Sequence, residues 1–319
     1  LYFFLIFLIL FYPISRHIPN GTIQSSEIEK AILVVEKGDS LRSIARKFSD
    51  QGIIGNELLF ELFARASGLD RQIKSGEYYV SKGQSIEEVL SALSFGSVIS
   101  NKITIPEGQT SFEVVKALNE LKNLVGKIVI LPDEGSLAPN TYFFSNGQSK
   151  LTLLKKMEEY QKVILKRIWK GRTKGISLQS PKHLLVVASI IEKETGKNSE
   201  RAIISSVIHN RLRNNMRLQA DPTVVYGITE GKRSLGRRLF KSDLKKFSDH
   251  NTYVIKGLPK TPICNPGEAS LFAAANPIST DFLYYVADGK GGHSFARTLE
   301  EHNRNVKIWR KIKKESGID

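Results

Sequence analysis

The segment His183 to Glu194, HLLVVASIIEKE, is where this sequence best prepares a side chain for chemistry. Leu184, Leu185, Val186, Val187, Ala188, Ile190 and Ile191 put apolar side chains on every face of a helix, and a helix apolar all round is buried. Helical spacing sets Glu192 on the face of Leu185, Ala188 and Ser189. A carboxyl on such a face loses hydration, its charged form is disfavoured and its pKa should rise. A carboxylic acid that keeps its proton near neutral pH can serve as a general acid. Glu194 points roughly the opposite way and is expected to be better solvated and less perturbed. A plainer reading stands beside this one: Glu192 marks where the helix surfaces, or pairs with Lys193 or an arginine.

The polar residues that follow favour chemistry. A helix with Ile203, Ile204, Val207, Ile208 and Leu212 inward carries Asn210 and Arg211 near its apolar edge. In MRLQADPTVVYGI, Asp221-Pro222 imposes a turn because the residue before proline avoids the helical region, and Thr223 can start the next helix. Gln219, Asp221 and Thr223 therefore sit on an ordered turn, with donors and acceptors suited to sugar hydroxyls or amides. A helix cap and a turn would account for Asp221 and Thr223 but leave Gln219 unexplained. Further on, Asn251 and Tyr253 precede a Gly- and Pro-rich run, and His293 follows the loop Asp288-Gly289-Lys290-Gly291-Gly292, whose neighbours read as hairpin strands. That loop lacks the spacing and the following helix of a phosphate-binding loop.

The elements that must position these residues read as an α+β chain. Ala31 to Glu36 is a strand candidate; Ser40 can cap a helix bearing Leu41, Ile44, Ala45 and Phe48, and Asn56 a second bearing Leu58, Leu59, Leu62 and Phe63. Gly76 to Val80 closes a βααβ unit. The larger part begins near the strand Lys102 to Glu107 and includes a long basic helix, Leu151 to Lys174, whose charges read as a solvated face. In LAPNTYFFS the aromatic cluster Tyr142, Phe143 and Phe144 reads as interface burial or as a platform for sugar rings. The expected division is 1–15 a truncated transmembrane anchor, 16–30 a linker, 31–100 the small module and 101–319 a mixed α/β catalytic domain.

Composition narrows the classes. A net charge of +15 points to an anionic partner, and without aromatic-interleaved nucleic-acid motifs, nucleic acid ranks last. The single cysteine, Cys264, cannot form an intramolecular disulfide or a cysteine metal site, and the six histidines show no paired ligand spacing, so neither metal nor cofactor is expected. Leu1 to Tyr12 is an unbroken apolar run stopped by Pro13, with no small-residue cleavage site after it, which reads as an uncleaved single-span anchor.

The opening VEKGDSLRSIARKF resembles a LysM module, a family that binds N-acetylglucosamine-containing glycans. Along the rest of the chain EGSLAPNTYFF, ASIIEKET, SVIHNRLRNNMRLQADPTVVYGI, HNTYVIKGLP, TPICNPG and FLYYVADGKGGHSF occur in one order that resembles the MltG/YceG-type endolytic murein transglycosylase family. The likeness runs from about Ala31 to the C-terminus and weakens from Leu121 to Ser136. It implies a single-pass enzyme of the inner membrane, its catalytic domain facing the periplasm, acting on peptidoglycan glycan strands and working beside peptidoglycan synthases. It implies Glu192 as the catalytic acid. On the reading of the polar residues above, Asn210, Arg211, Gln219, Asp221, Thr223 and Tyr226 are expected to line the cleft, with Asn251, Tyr253 and His293 as further candidates. Ordinary glycosidases need two carboxylates. A lytic transglycosylase needs one, because the attacking oxygen belongs to the substrate. A glycan hydrolase with Asp221 holding a water, and a non-catalytic glycan-binding scaffold, remain the alternatives.

Overall fold

The computed structural model describes residues 30–36, 38–81, 85–95 and 101–315. The predicted anchor and all but the last residue of the predicted linker lie outside them. Among the described residues no helix is long and apolar enough to cross a membrane. The chain divides into two compact units: one runs up to Asn101 and takes in Phe144–Asn146, the other comprises Lys102–Phe143 and the chain from Gly147.

The first unit has the expected order of strand, helix, helix, strand. Strand β1 (Lys30–Val35) pairs antiparallel with β2 (Gly76–Ser81), with Leu33 opposite Tyr78. Helices α1 (Leu41–Asp50) and α2 (Glu57–Ala66) begin at Ser40 and Asn56, whose side chains accept from the backbone N–H groups of Ser43 and Leu59. A further helix, α3 (Ile86–Phe95), supplies Val89, Leu90 and Leu93 to a core that also holds Leu33, Val35, Phe48 and Phe60. Phe48 and Phe60 meet edge to face, their centroids 5.8 Å apart. On α2 the inward face differs from the one expected. Phe60 and Ala64 are buried, whereas Leu58, Leu59 and Leu62 are exposed, because the helix offers apolar residues on more than one side and only one side meets α1 and the helix Ile86–Phe95.

The second unit contains, apart from the end residues Asn101 and Phe144, a two-stranded sheet of β3 (Asn101–Ile105) and β4 (Asn140–Phe144), and the helix α4 (Ser111–Glu120). Thr110 and Glu113 close a reciprocal capping box at the start of α4. The long basic α5 (Lys150–Lys170) buries Leu153, Leu154, Met157 and Ile164 and turns its lysines outward except Lys150, which is buried and donates to Asn119 O at 2.9 Å.

At the centre lies α6 (Pro181–Glu194). Ser180 accepts from the His183 N–H, and Pro181, which lacks an amide donor, occupies the first turn, where none is needed. As the composition demanded, Leu184, Val186, Val187, Ala188, Ser189, Ile190 and Ile191 are all buried. Around it pack α5, α7 (Asn198–Arg213), α8 (Asp221–Thr229) and α9 (Glu268–Ala275), whose Ala273, Ala274 and Ala275 permit close approach. The segment Ile263–Cys264 is laid against α6 by hydrogen bonds to the hydroxyl and carbonyl of Ser189.

The hairpin β5 (Tyr284–Ala287) and β6 (His293–Ala296) is antiparallel, with Tyr285 opposite Phe295 and Ala287 opposite His293. It is backed by α10 (Leu299–Glu315).

Gly135 is a backbone position in this unit that admits only glycine. Gly135 has φ +80°, and a Cβ there would lie 2.9 Å from the ring of Pro262 and 3.2 Å from Leu185. Gly135→Ala is expected to lower stability by about 2 kcal/mol or more, since backbone strain and overpacking add. A thermal unfolding midpoint within a degree of wild type would contradict this.

Candidate active site

The two glutamates at the end of α6 are two residues apart, so they project about 200° from each other around the helix. Each therefore meets a different environment.

Glu192 is almost fully buried, but as a partner rather than a free acid. Its Oε1 accepts from Arg201 Nη2 at 3.1 Å and its Oε2 from the Gly267 N–H at 2.9 Å. Arg201, itself 7% exposed, also donates to Ser270 Oγ at 3.0 Å and to Asn198 Oδ1, and it lies 3.7 Å from Glu107. Burial, then the neighbouring Glu192, pushes the Glu107 carboxyl above its ordinary range, against the pull of Arg201. Glu192 thus joins α6, α7 and the start of α9 as the acceptor in a buried polar cluster. The expectation of a lone desolvated acid on an apolar face fails because α7 brings an arginine to that face. The plainer alternative, pairing with an arginine, is the arrangement found.

Glu194, expected to be the solvated control, is the perturbed group. Its carboxyl is pushed up to about 7, first by burial and then by Asp221; a hydrogen bond from Tyr285 and the charge of Arg211 hold it back. Tyr285 belongs to β5, Arg211 to α7 and Asp221 to the first turn of α8, so three elements converge on the last residue of α6. The backbone N–H of Thr195, donating to Ile191 O at 3.2 Å, ends the helix directly after Glu194. Asp221 is exposed and accepts from the Tyr253 hydroxyl at 2.6 Å. Burial and the nearby carboxylates push both Tyr253 and Tyr285 above the ordinary phenol value, so both remain donors.

The other expected cleft residues divide. Arg211 donates to Leu283 O at 2.6 Å, Leu218 O at 2.9 Å, Arg217 O at 3.1 Å and Gln219 Oε1 at 3.2 Å, which ties the 217–219 loop to the start of β5 while its charge acts on Glu194. Gln219 is exposed, and its φ of +51° is a left-handed conformation held by this loop. Asp221 and Tyr253 stand at the site.

Asn210, Thr223 and Asn251 are corrections. Asn210 donates to Thr280 O and Phe282 O and accepts from Arg213. Thr223 is fully buried, bonded to Ala220 O and Thr252 Oγ1. Asn251 donates to Lys246 O and Leu244 O and accepts from the Tyr253 N–H. Each is engaged by the protein's own backbone and shapes the site without facing it. Tyr226 donates to Glu134 at 3.0 Å and packs against the His250 ring. Glu134 is a second buried carboxyl in this unit, pushed up by burial against hydrogen bonds from Ser111 and Tyr226. His293 faces Glu200 rather than Glu194.

Sequence reasoning missed Tyr285, although strand alternation in FLYYVAD sets Tyr284 and Tyr285 on opposite faces and so offered one tyrosine to the interior. In the first unit a separate pocket is lined by Glu36, Asp39, Leu41, Ile44, Asp70 and Ile73.

Known proteins are similar to this chain along most of its length. The family model described as the YceG-like family matches residues 33–308. A protein of Bacillus subtilis (strain 168) named endolytic murein transglycosylase is 29% identical over 306 residues, covering 85% of this chain and 82% of that protein. A Streptococcus pneumoniae (strain D39) protein of the same name is 25% identical over 321 residues; the match spans 85% of this chain but 57% of that protein. The 2.6 Å crystal structure of a YceG-like protein from Listeria monocytogenes superposes with a TM-score of 0.52 at 29% identity, covering 87% of this chain and 99% of the other.

Proposed function

Because this chain belongs to the YceG-like family, we propose that it is a peptidoglycan lytic transglycosylase in which Glu194 is the catalytic acid and base. The observation that carries the reading is the Glu194 carboxyl raised to about 7 between Tyr285, Arg211 and Asp221. A carboxyl with a pKa near working pH can both give and take a proton in one cycle. Protonated Glu194 delivers its proton to the glycosidic oxygen between N-acetylmuramic acid and N-acetylglucosamine, and the bond from C1 to that oxygen breaks. Positive charge develops at C1, and the carboxylate of Asp221, held by Tyr253, supplies negative potential on that side of the site. Ionised Glu194 then takes the proton of the muramoyl C6 hydroxyl as its oxygen closes on C1. The product is a 1,6-anhydro end, Glu194 is protonated again and no water is consumed. Tyr285 keeps the carboxyl oriented through both transfers.

Cleavage within nascent strands, so that strand length is set as strands are made, is the endolytic form of this activity. The apolar run 1–12 supports a single-span anchor with the enzyme facing outward, near peptidoglycan synthases. The resemblance of the first unit to a LysM module, and its pocket bordered by Asp39 and Asp70, support a glycan-holding role for that unit.

The test is mass spectrometry of purified glycan strands after incubation with the protein. Anhydro-muramoyl ends support the reading. Reducing ends would make Asp221 the holder of a water and the enzyme a hydrolase, and intact strands would leave a binding scaffold. The pH dependence follows from the acid's role: Glu194 must begin protonated, so turnover is expected to fall as pH rises through about 7. A rate still rising at pH 9 would exclude Glu194 as the acid.

A further inference from the structure

Glu200 lies outside the proposed acid/base step, yet its carboxylate connects to Glu194 along two routes. It accepts from the Thr195 hydroxyl at 3.2 Å, the residue that ends α6 next to Glu194. It also accepts from the His293 backbone N–H at 3.0 Å and stands 2.7 Å from His293 Nδ1. His293 opens β6, directly opposite Ala287 at the end of β5. Its ring stands edge-on to Tyr285, at 84° with centroids 5.3 Å apart, and Tyr285 is the phenol whose interaction lowers the Glu194 carboxyl. Phe295 also packs near the imidazole, its ring centroid 6.3 Å away. Among the described residues His293 Nε2 has no protein partner and is not sealed away as a buried orphan. Burial pushes the Glu200 carboxyl up, but the hydrogen bonds from His293 and Thr195 outweigh it and hold it below the ordinary range. It is therefore a fixed negative acceptor at working pH.

We propose that Glu200 is a positioning residue for the reaction: it holds His293 as the Nδ1–H tautomer with Nε2 free, and through that ring and Thr195 it sets Tyr285 against Glu194. The inference rests on the reading of Glu194 as the acid. A carboxylate that accepts Nδ1–H fixes both the tautomer and the orientation of an imidazole. With the ring fixed, Tyr285 has one packing position, and its hydroxyl stays on the Glu194 carboxylate. The free Nε2 is an acceptor, which suits a hydroxyl or amide N–H of a bound glycan.

The consequence for pH is specific. Glu194 is faced by Tyr285 from β5, Arg211 from α7, Asp221 from α8 and Tyr253 from the loop after α8; of these, Tyr285 and Arg211 lower its pKa. Loosening Tyr285 removes a lowering contact, so the Glu194 pKa should rise further.

The experiment is the pH–rate profile of anhydro-end formation for wild type, Glu200→Gln and Glu200→Asp. It is paired with ¹⁵N NMR of the imidazoles, with His293 assigned by loss of its signals in His293→Gln. Wild type is expected to show His293 protonated at Nδ1. Glu200→Gln is expected to lose about tenfold or more in rate and to move the alkaline limb up by about half a pH unit, the shift that loss of one ordinary hydrogen bond produces. Glu200→Asp should recover part of both. An Nε2–H tautomer in wild type, or a Glu200→Gln profile of unchanged midpoint, overturns the proposal. If Glu200→Gln does not fold, the wild-type tautomer and the His293→Gln profile decide, the latter being expected to shift in the same direction. An active Glu194→Gln would instead overturn the underlying reading, so the two failures are told apart.

Discussion

Glu194→Gln is expected to abolish anhydro-end formation, with a loss of about 10³-fold or more, and at the same time to make the protein more stable above neutral pH. The first effect is the removal of the proton donor and acceptor, since a positioned general acid or base contributes about 10²–10⁴-fold. Gln keeps the shape and can still accept from Tyr285, so the loss isolates the proton. The second effect follows from linkage. The folded-state pKa of Glu194, about 7, lies above its ordinary value of 4.5, so folding favours the neutral acid. The stability that this carboxyl permits is full below about pH 4.5 and is lost as pH rises through about 7, where ionisation has to occur among buried groups. A shift from 4.5 to about 7 corresponds to a penalty on the order of 3 kcal/mol at pH 8, which Gln avoids. Denaturation of the two proteins at pH 5 and pH 8 should give similar midpoints at the lower pH and a higher midpoint for the variant at the upper. Equal stability at both, or retained activity, would remove Glu194 from its role. Such a gain is what a site under strain for function predicts.

Arg201→Met is expected to be among the most destabilising single changes in the second unit, at about 3–5 kcal/mol, because it leaves a buried carboxylate without its cation. Glu192 and Arg201 are 5% and 7% exposed, so water cannot readily replace either partner. The lost contacts reach Ser270 and Asn198 as well, loosening the start of α9 and of α7. Glu192→Gln paired with Arg201→Met should recover a good part of the loss, since an unpaired polar amide costs less than an unpaired charge. Urea titrations of wild type, the single and the double variant measure this, and a single-variant cost under 1 kcal/mol would show the pair to be solvated. The contrast with Glu194 is informative: Glu192 variants should fail through folding, Glu194 variants through turnover alone.

Much of the frame is legible in the residues themselves. The caps at Ser40 and Asn56 are readable from residue type, because capping is local. The all-round apolar α6 has to be central, since only the rest of the fold can cover it. The hairpin of β5 and β6 follows from alternation around a glycine loop. The helix expected to start at Thr223 instead begins at Asp221, because Pro222 needs no amide donor in a first turn. What fails is the choice among polar residues. Asn210, Thr223 and Asn251 offer the right groups, but carbonyls of Thr280, Ala220 and Lys246, distant or local, engage them.

The sequence by itself determined that a buried helix ends in two carboxyls facing opposite ways, because helical periodicity is a property of the chain alone. It could not decide which of them is the perturbed group. Both lose water, and the sign of the outcome depends on what each then meets: an arginine and an amide for Glu192, a phenol and a second carboxylate for Glu194. Arg201, Tyr285 and Asp221 reach those faces only through the packing of α7, β5 and α8 around α6. A pKa in a folded protein is set by such long-range neighbours across a few ångströms, so tertiary structure alone decided it.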